Sequence, residues 1–142
     1  MRFMAILKAS KDSETGVMPK AELVKPMVEF NEQMARAGVL LAAEGLQPSS
    51  RGARVRFEKG KRTVTDGPFA ETQELVGGFW LLQVKSRQEA IEWIKRAPSP
   101  FGDDTVAEVE IRELFEASDF LPPEDMARLE ALRAEVRRKQ SR

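Results

Sequence analysis

The chain has 142 residues, 42% of them hydrophobic and 32% charged, with a formal net charge of +0. That is enough chain to bury one core, and the charge balance gives no general attraction to nucleic acid or an anionic membrane. Cys, His and Tyr are all absent, which removes thiolate nucleophiles, disulfides, thiolate zinc sites and every Ser-His-Asp or Cys-His mechanism within the chain itself.

Residues Arg2 to Ala9 read as a first strand, because Phe3-Met4-Ala5-Ile6-Leu7 is an unbroken apolar run suited to a central position covered on both faces. Lys8-Ala9-Ser10 then fall at its carboxyl end, where such sheets often present polar groups to a cleft. Lys11 to Val17 is polar and is expected to be flexible. Pro19 suits a first helical turn, and Leu23, Met27, Phe30 and Met34 recur at helical spacing up to Gly38. Pro26 interrupts that pattern, so the expectation is a short leading turn followed by a helix from about Met27 to Ala37.

Val39 to Leu46 reads as the second strand, with Glu44 a lone carboxylate late in an apolar run. Beyond the Pro48-to-Gly52 loop, Ala53–Glu58 and Lys61–Thr65 flank Lys59-Gly60 and alternate apolar with charged residues, the pattern of a hairpin. Val76 to Lys85 is the strongest strand. Ser86 with Glu89 forms a capping-box pattern, and Ala90, Ile91, Ile94 and Ala97 mark a helix ending before Pro98. Thr105 to Leu114 alternates as an antiparallel strand with one wet face. After Leu121-Pro122-Pro123, acids at Glu124 and Asp125 and bases at Arg137-Arg138-Lys139 frame a last helix with a narrow stripe at Met126, Leu129, Leu132 and Val136.

With the hairpin and tail set aside, the order is βαββαβ. That is the ferredoxin-like α+β pattern: a four-stranded antiparallel sheet with both helices on one face. The domain is expected over residues 1–120, followed by a helical tail over 121–142. The uncovered sheet face is apolar and needs a partner, and a second copy is the simplest one. No apolar run approaches the ~20 residues of a membrane span, and no signal peptide is read before Met1-Arg2-Phe3-Met4, so a cytoplasmic protein is expected.

Chemistry concentrates between the hairpin and the strong strand, at Asp66-Gly67-Pro68-Phe69-Ala70-Glu71-Thr72-Gln73-Glu74. Gly-Pro after an acid specifies a turn of defined shape. Asp66 is the candidate catalytic carboxylate, a general base or ligand-orienting group. Its structural alternative is an Asx turn, in which it accepts backbone N–H groups. Phe69 and Trp80 are candidate ligand walls, Trp80 alternatively a core or interface residue. Glu44 and Lys8 are candidate binding residues, Glu44 alternatively half of an ion pair with Lys8, Arg56 or Lys85. Glu71 and Glu74 also suit a solvated turn, so no metal or other cofactor is expected. The basic ending Arg137 to Arg142 reads as a helix end complementing its dipole and not as a nucleic-acid contact.

The Asp66-to-Thr72 string followed by Gln73-Glu74 and Gly77-Gly78-Phe79 resembles the signature of the DGPF branch of the YCII-related proteins. The opening strand, Gly38-Val39-Leu40 to Glu44-Gly45-Leu46, Glu89-Ala90-Ile91-Glu92-Trp93 and Val106 to Ile111 support the likeness, which spans about Met1 to Phe115. The resemblance implies a dimeric α+β barrel of two ferredoxin-like units packed sheet to sheet, with a cleft in each protomer. Some relatives in the wider group act on small organic molecules through an Asp-His pair. Asp66 matches the Asp, but no residue here matches the His. Members of this branch are often encoded beside extracytoplasmic-function sigma factors, which adds a regulatory association as a second expectation. A homodimer that binds a small molecule, with proton-transfer or lyase-type chemistry at Asp66, is therefore set against a non-catalytic accessory module.

Overall fold

The computed structural model describes residues 1–71 and 74–141; Thr72 and Gln73 of the motif, and Arg142 of the basic ending, lie outside the described residues. The first strand, β1 (Arg2–Lys8), buries alternate residues, Phe3 and Ala5, under a helical layer. β5 (Val76–Gln83) does the same with Gly78, Trp80 and Leu82. The remaining strands of this sheet are β2 (Leu40–Gly45) and β6 (Val109–Glu113). Their order is β2-β5-β1-β6 with every neighbour antiparallel, the ferredoxin-like arrangement expected from the element order.

Two helices cover one face. Met27, Phe30 and Met34 of α2 (Ala21–Arg36) and Ala90, Trp93 and Ile94 of α3 (Arg87–Lys95) pack on Phe3, Ala5, Trp80, Leu82 and Val84. Pro26 does not divide α2 as the sequence suggested. It lies early in the helix on an exposed turn, where water can serve the Glu22 carbonyl that its missing N–H leaves open, and the apolar row runs through it. Pro19 lies outside the helix. Gly38, at φ +74°, ends it with its N–H on the Ala35 carbonyl and the Val39 N–H on Met34, a Schellman stop.

Lys11 to Val17 is also more ordered than its polarity implied. α1 (Lys11–Glu14) is held by a reciprocal cap in which Ser10 and Ser13 each accept the other's backbone N–H. At α3, Ser86 accepts the Glu89 N–H, while the Glu89 carboxylate reaches back to the Lys85 N–H, one residue earlier than a standard box. β6 is shorter than the alternation predicted because its ladder partner sets its length: β1 offers only Phe3 to Leu7 for pairing.

The other sheet face carries the alternate residues. Two rows cross it, Ala42–Leu81–Met4–Arg112 and Glu44–Phe79–Ile6–Glu110. Met4, Ile6, Phe79 and Leu81 are only half-buried there. The hairpin, β3 (Ala53–Glu58) and β4 (Lys61–Asp66), forms its own two-stranded sheet, reversing through Lys59 and Gly60 at positive φ. The chain closes with α4 (Pro123–Gln140), which starts with Pro at its first helical position. Among the described residues, no helix is long and apolar enough to cross a membrane.

Candidate functional site

Asp66 is the last residue of β4, opposite Ala53, and the Gly67 N–H closes the hairpin base on the Gly52 carbonyl at 3.0 Å. The Gly67–Pro68 bond is cis. Only glycine fits at position 67, because a Cβ there would run into the backbone carbonyl of Ser49. That contact draws the motif loop against the short 3-10 turn Ser49–Arg51.

The hydroxyl of Ser49 then does what the sequence alternative assigned to Asp66. Ser49 Oγ accepts the Phe69 N–H at 3.0 Å and itself donates to Glu14 Oε1, while Glu14 Oε2 accepts the Ser49 N–H at 2.9 Å. One carboxylate on α1 thus holds one hydroxyl, which holds the loop. Hydrogen bonds to an ionised acceptor are among the stronger ones in proteins. Asp66 is exposed, and its carboxylate accepts no hydrogen bond and makes no ion pair among the described residues. Phe69 packs its ring against the guanidinium of Arg54, 3.8 Å from the ring centroid, a cation–π contact that fixes the ring at the hairpin root.

Glu44 and Lys8 lie on the open sheet face. Glu44 is level with Phe79 and Ile6, while Lys8 sits one step further along β1, at a register shift opposite Val76. Neither Glu44's burial nor its pairing follows the sequence expectation. Glu44 is exposed and has no ion-pair partner among the described residues; Lys8 instead reaches Glu110 at 3.6 Å and Arg56 reaches Glu58 at 3.2 Å. The reason is geometric, since Lys8 leans toward β6 and Arg56 is carried away on the hairpin.

Trp80 points through the sheet to the opposite side. Its indole N–H donates to Asn31 Oδ1 at 2.8 Å and its ring meets Phe30 edge-on at 6.5 Å. The same ring borders a cleft of about 760 Å³ between α3 and β6, lined also by Ile91, Ile94, Val109, Ile111 and Arg87. The predicted residues therefore fall into three places: Asp66 and Phe69 at the hairpin root, Glu44 and Lys8 on the open face, and Trp80 in the helix-covered core. Asp66, Glu71 and Glu74 do not converge into a three-ligand cluster; none of that kind occurs among the described residues.

Glu14, Ser49, Arg54 and Asn31 were not singled out by sequence reasoning. Asn31 carried a weak signal, a polar residue beside the core position Phe30. Glu14 and Ser49 carried none, because their meeting depends on where two separate connections cross at one end of the sheet.

A family model described as a YCII-related domain matches residues 1–115. An uncharacterized protein of Rhizobium meliloti (strain 1021) is 31% identical over 94 residues, covering 64% of this chain and 76% of the relative. Among solved structures, 5-chloro-2-hydroxyhydroquinone dehydrochlorinase from Burkholderia phenoliruptrix AC1100, in complex with 2,5-dihydroxybenzoquinone, aligns at a TM-score of 0.47. The identity is 11%, with 84% of this chain and 98% of that chain covered. A likeness at that score carries no argument about the chemistry of this chain.

Proposed function

The chain belongs to the YCII-related family, and from that premise we propose that it is a cytoplasmic homodimer that binds a small organic molecule beside Asp66. The observation that carries this reading is the division of labour at the motif loop. Ser49 and Glu14 hold the loop, so the carboxylate of Asp66 keeps its lone pairs for something else. A carboxylate poised on a braced loop can accept a proton or orient a hydroxyl, which fits proton-transfer or lyase-type chemistry on a molecule bearing a carbonyl, ring or carboxylate. Phe69 and Arg54 supply an aromatic face and a planar cation next to it. The second copy covers the open face at Met4, Ile6, Phe79 and Leu81, and brings Lys8 and Glu44 to the edge of the enclosed space.

One observation favours a second reading, a non-catalytic accessory module with the sigma-factor association that the family resemblance implies. Trp80 and its cleft lie across the sheet from Glu44 and Lys8, so these residues share no pocket within one protomer.

A thermal-shift series with small carboxylic acids and phenols, run on the wild type and on Asp66→Asn, separates the two. A compound present at ~100 times its Kd adds about 2.7 kcal/mol of stability, which a melt resolves. The binding reading expects at least one such compound, with the shift lost in Asp66→Asn while the unliganded melting temperature stays. Equal shifts in both proteins would remove Asp66 from the site, and no shift from any compound would favour the accessory module.

A further inference from the structure

The hairpin is an arm that its own protomer leaves in solvent. Every residue of β3 and β4 is exposed. Residues opposite one another in an antiparallel pair share a face. Ala53, Val55 and Phe57 with Arg62, Val64 and Asp66 therefore form one side, and Arg54, Arg56 and Glu58 with Lys61, Thr63 and Thr65 the other. On the first side Val55, Phe57 and Val64 are 52%, 69% and 65% exposed. A two-stranded hairpin alone in water is marginally stable, and an apolar face left wet adds nothing to it. The arm therefore needs a surface to lie on.

The charges point to that surface. Residues 51–66 carry six cations, Arg51, Arg54, Arg56, Lys59, Lys61 and Arg62, against Glu58 and Asp66. Residues 103–116 carry six acids, Asp103, Asp104, Glu108, Glu110, Glu113 and Glu116, against Arg112. The neutral total thus conceals two opposed patches. The acidic one includes β6, an edge strand that pairs with β1 alone. Within the protomer no ion pair among the described residues joins the arm to this stretch; Arg56 turns to Glu58, and Glu110 to Lys8 and Arg112.

We propose that the arm of one protomer seats on the acidic β6 edge of a second copy, and reciprocally. The seat hides the Val55, Phe57 and Val64 face and places Asp66, at the arm's root, beside the partner subunit. This rests on the homodimer of the preceding reading and adds that the ligand site is built by both copies. Nucleic acid fits the arm less well, because Arg54 and Arg62 already stack on Phe69 and Phe57, and Glu58 interrupts the cationic side.

Sedimentation and hydrogen exchange on the intact chain test it. The expected result is a dimer in which amides of residues 53–66 exchange slowly and become fast on dilution to protomers. Arg56→Glu with Lys61→Glu weakens the dimer by roughly tenfold or more. Adding Glu108→Arg and Glu113→Arg to the same chain restores it, which a misfolded arm would not allow. A stable dimer whose arm amides exchange as fast as in the protomer overturns the arm and leaves the dimer standing. Charge reversal without effect on association does the same, as does arm protection that appears only with added duplex DNA. A wild type that sediments as a protomer at all concentrations overturns both.

Discussion

Phe3, Ala5, Trp80 and Leu82 are almost fully buried beneath the helices, whereas their neighbours in the chain, Met4, Ile6, Phe79 and Leu81, stand half-buried on the other side of the same sheet. Backbone pairing is identical for both sets, so hydrogen bonding cannot distinguish them. What differs is the layer opposite. On one side α2 and α3 deliver Phe30, Met34 and Ala90. On the other, apolar side chains meet water inside a rim formed by Glu44, Lys8, Glu110 and Arg112. The first side accounts for why a protomer folds, and the second for why a folded protomer needs company.

The contrast can be broken most forcefully from the covered side. Leu82→Ala removes a fully buried side chain, and the expected loss is about 2–5 kcal/mol in urea unfolding. A loss below about 1 kcal/mol would mean that the helical layer is not the principal core. On the open side, Phe79→Ser should leave protomer unfolding within roughly 1 kcal/mol of wild type yet raise the dimer dissociation constant about tenfold, read by sedimentation. If it unfolds the protomer as severely as Leu82→Ala does, the two faces are not distinct. The smallest effect concerns the loop between them. Ser49→Ala should cost about 1–2 kcal/mol and speed exchange of the Phe69 amide ahead of those in β1 and β5.

Some of this was legible in the residues. Alternation of Val109 and Ile111 with Glu108 and Glu110 gave the wet face of β6, and Lys59-Gly60 between charged alternating runs gave the hairpin. Phe79-Trp80-Leu81-Leu82 did not reveal which side Trp80 takes, because a continuous apolar run has no period of two to read. That left Phe69 and Trp80 as candidate walls of one pocket, although the structure sets them apart. α1 escaped notice since Lys11-Asp12-Ser13-Glu14 has no apolar rhythm and is nucleated by hydroxyl caps. The rows Ala42–Leu81–Met4–Arg112 and Glu44–Phe79–Ile6–Glu110 depend on ladder register, which no single strand encodes.

The Glu14–Ser49–Phe69 chain ties together segments that follow β1, follow β2 and precede β5. A geneticist collecting loss-of-function alleles should accordingly recover lesions at Glu14 and Ser49 that mimic damage to the conspicuous motif, with Glu14→Gln milder than Glu14→Ala because an amide still offers one acceptor. Such hits would look scattered along the gene, yet they would report on a single knot.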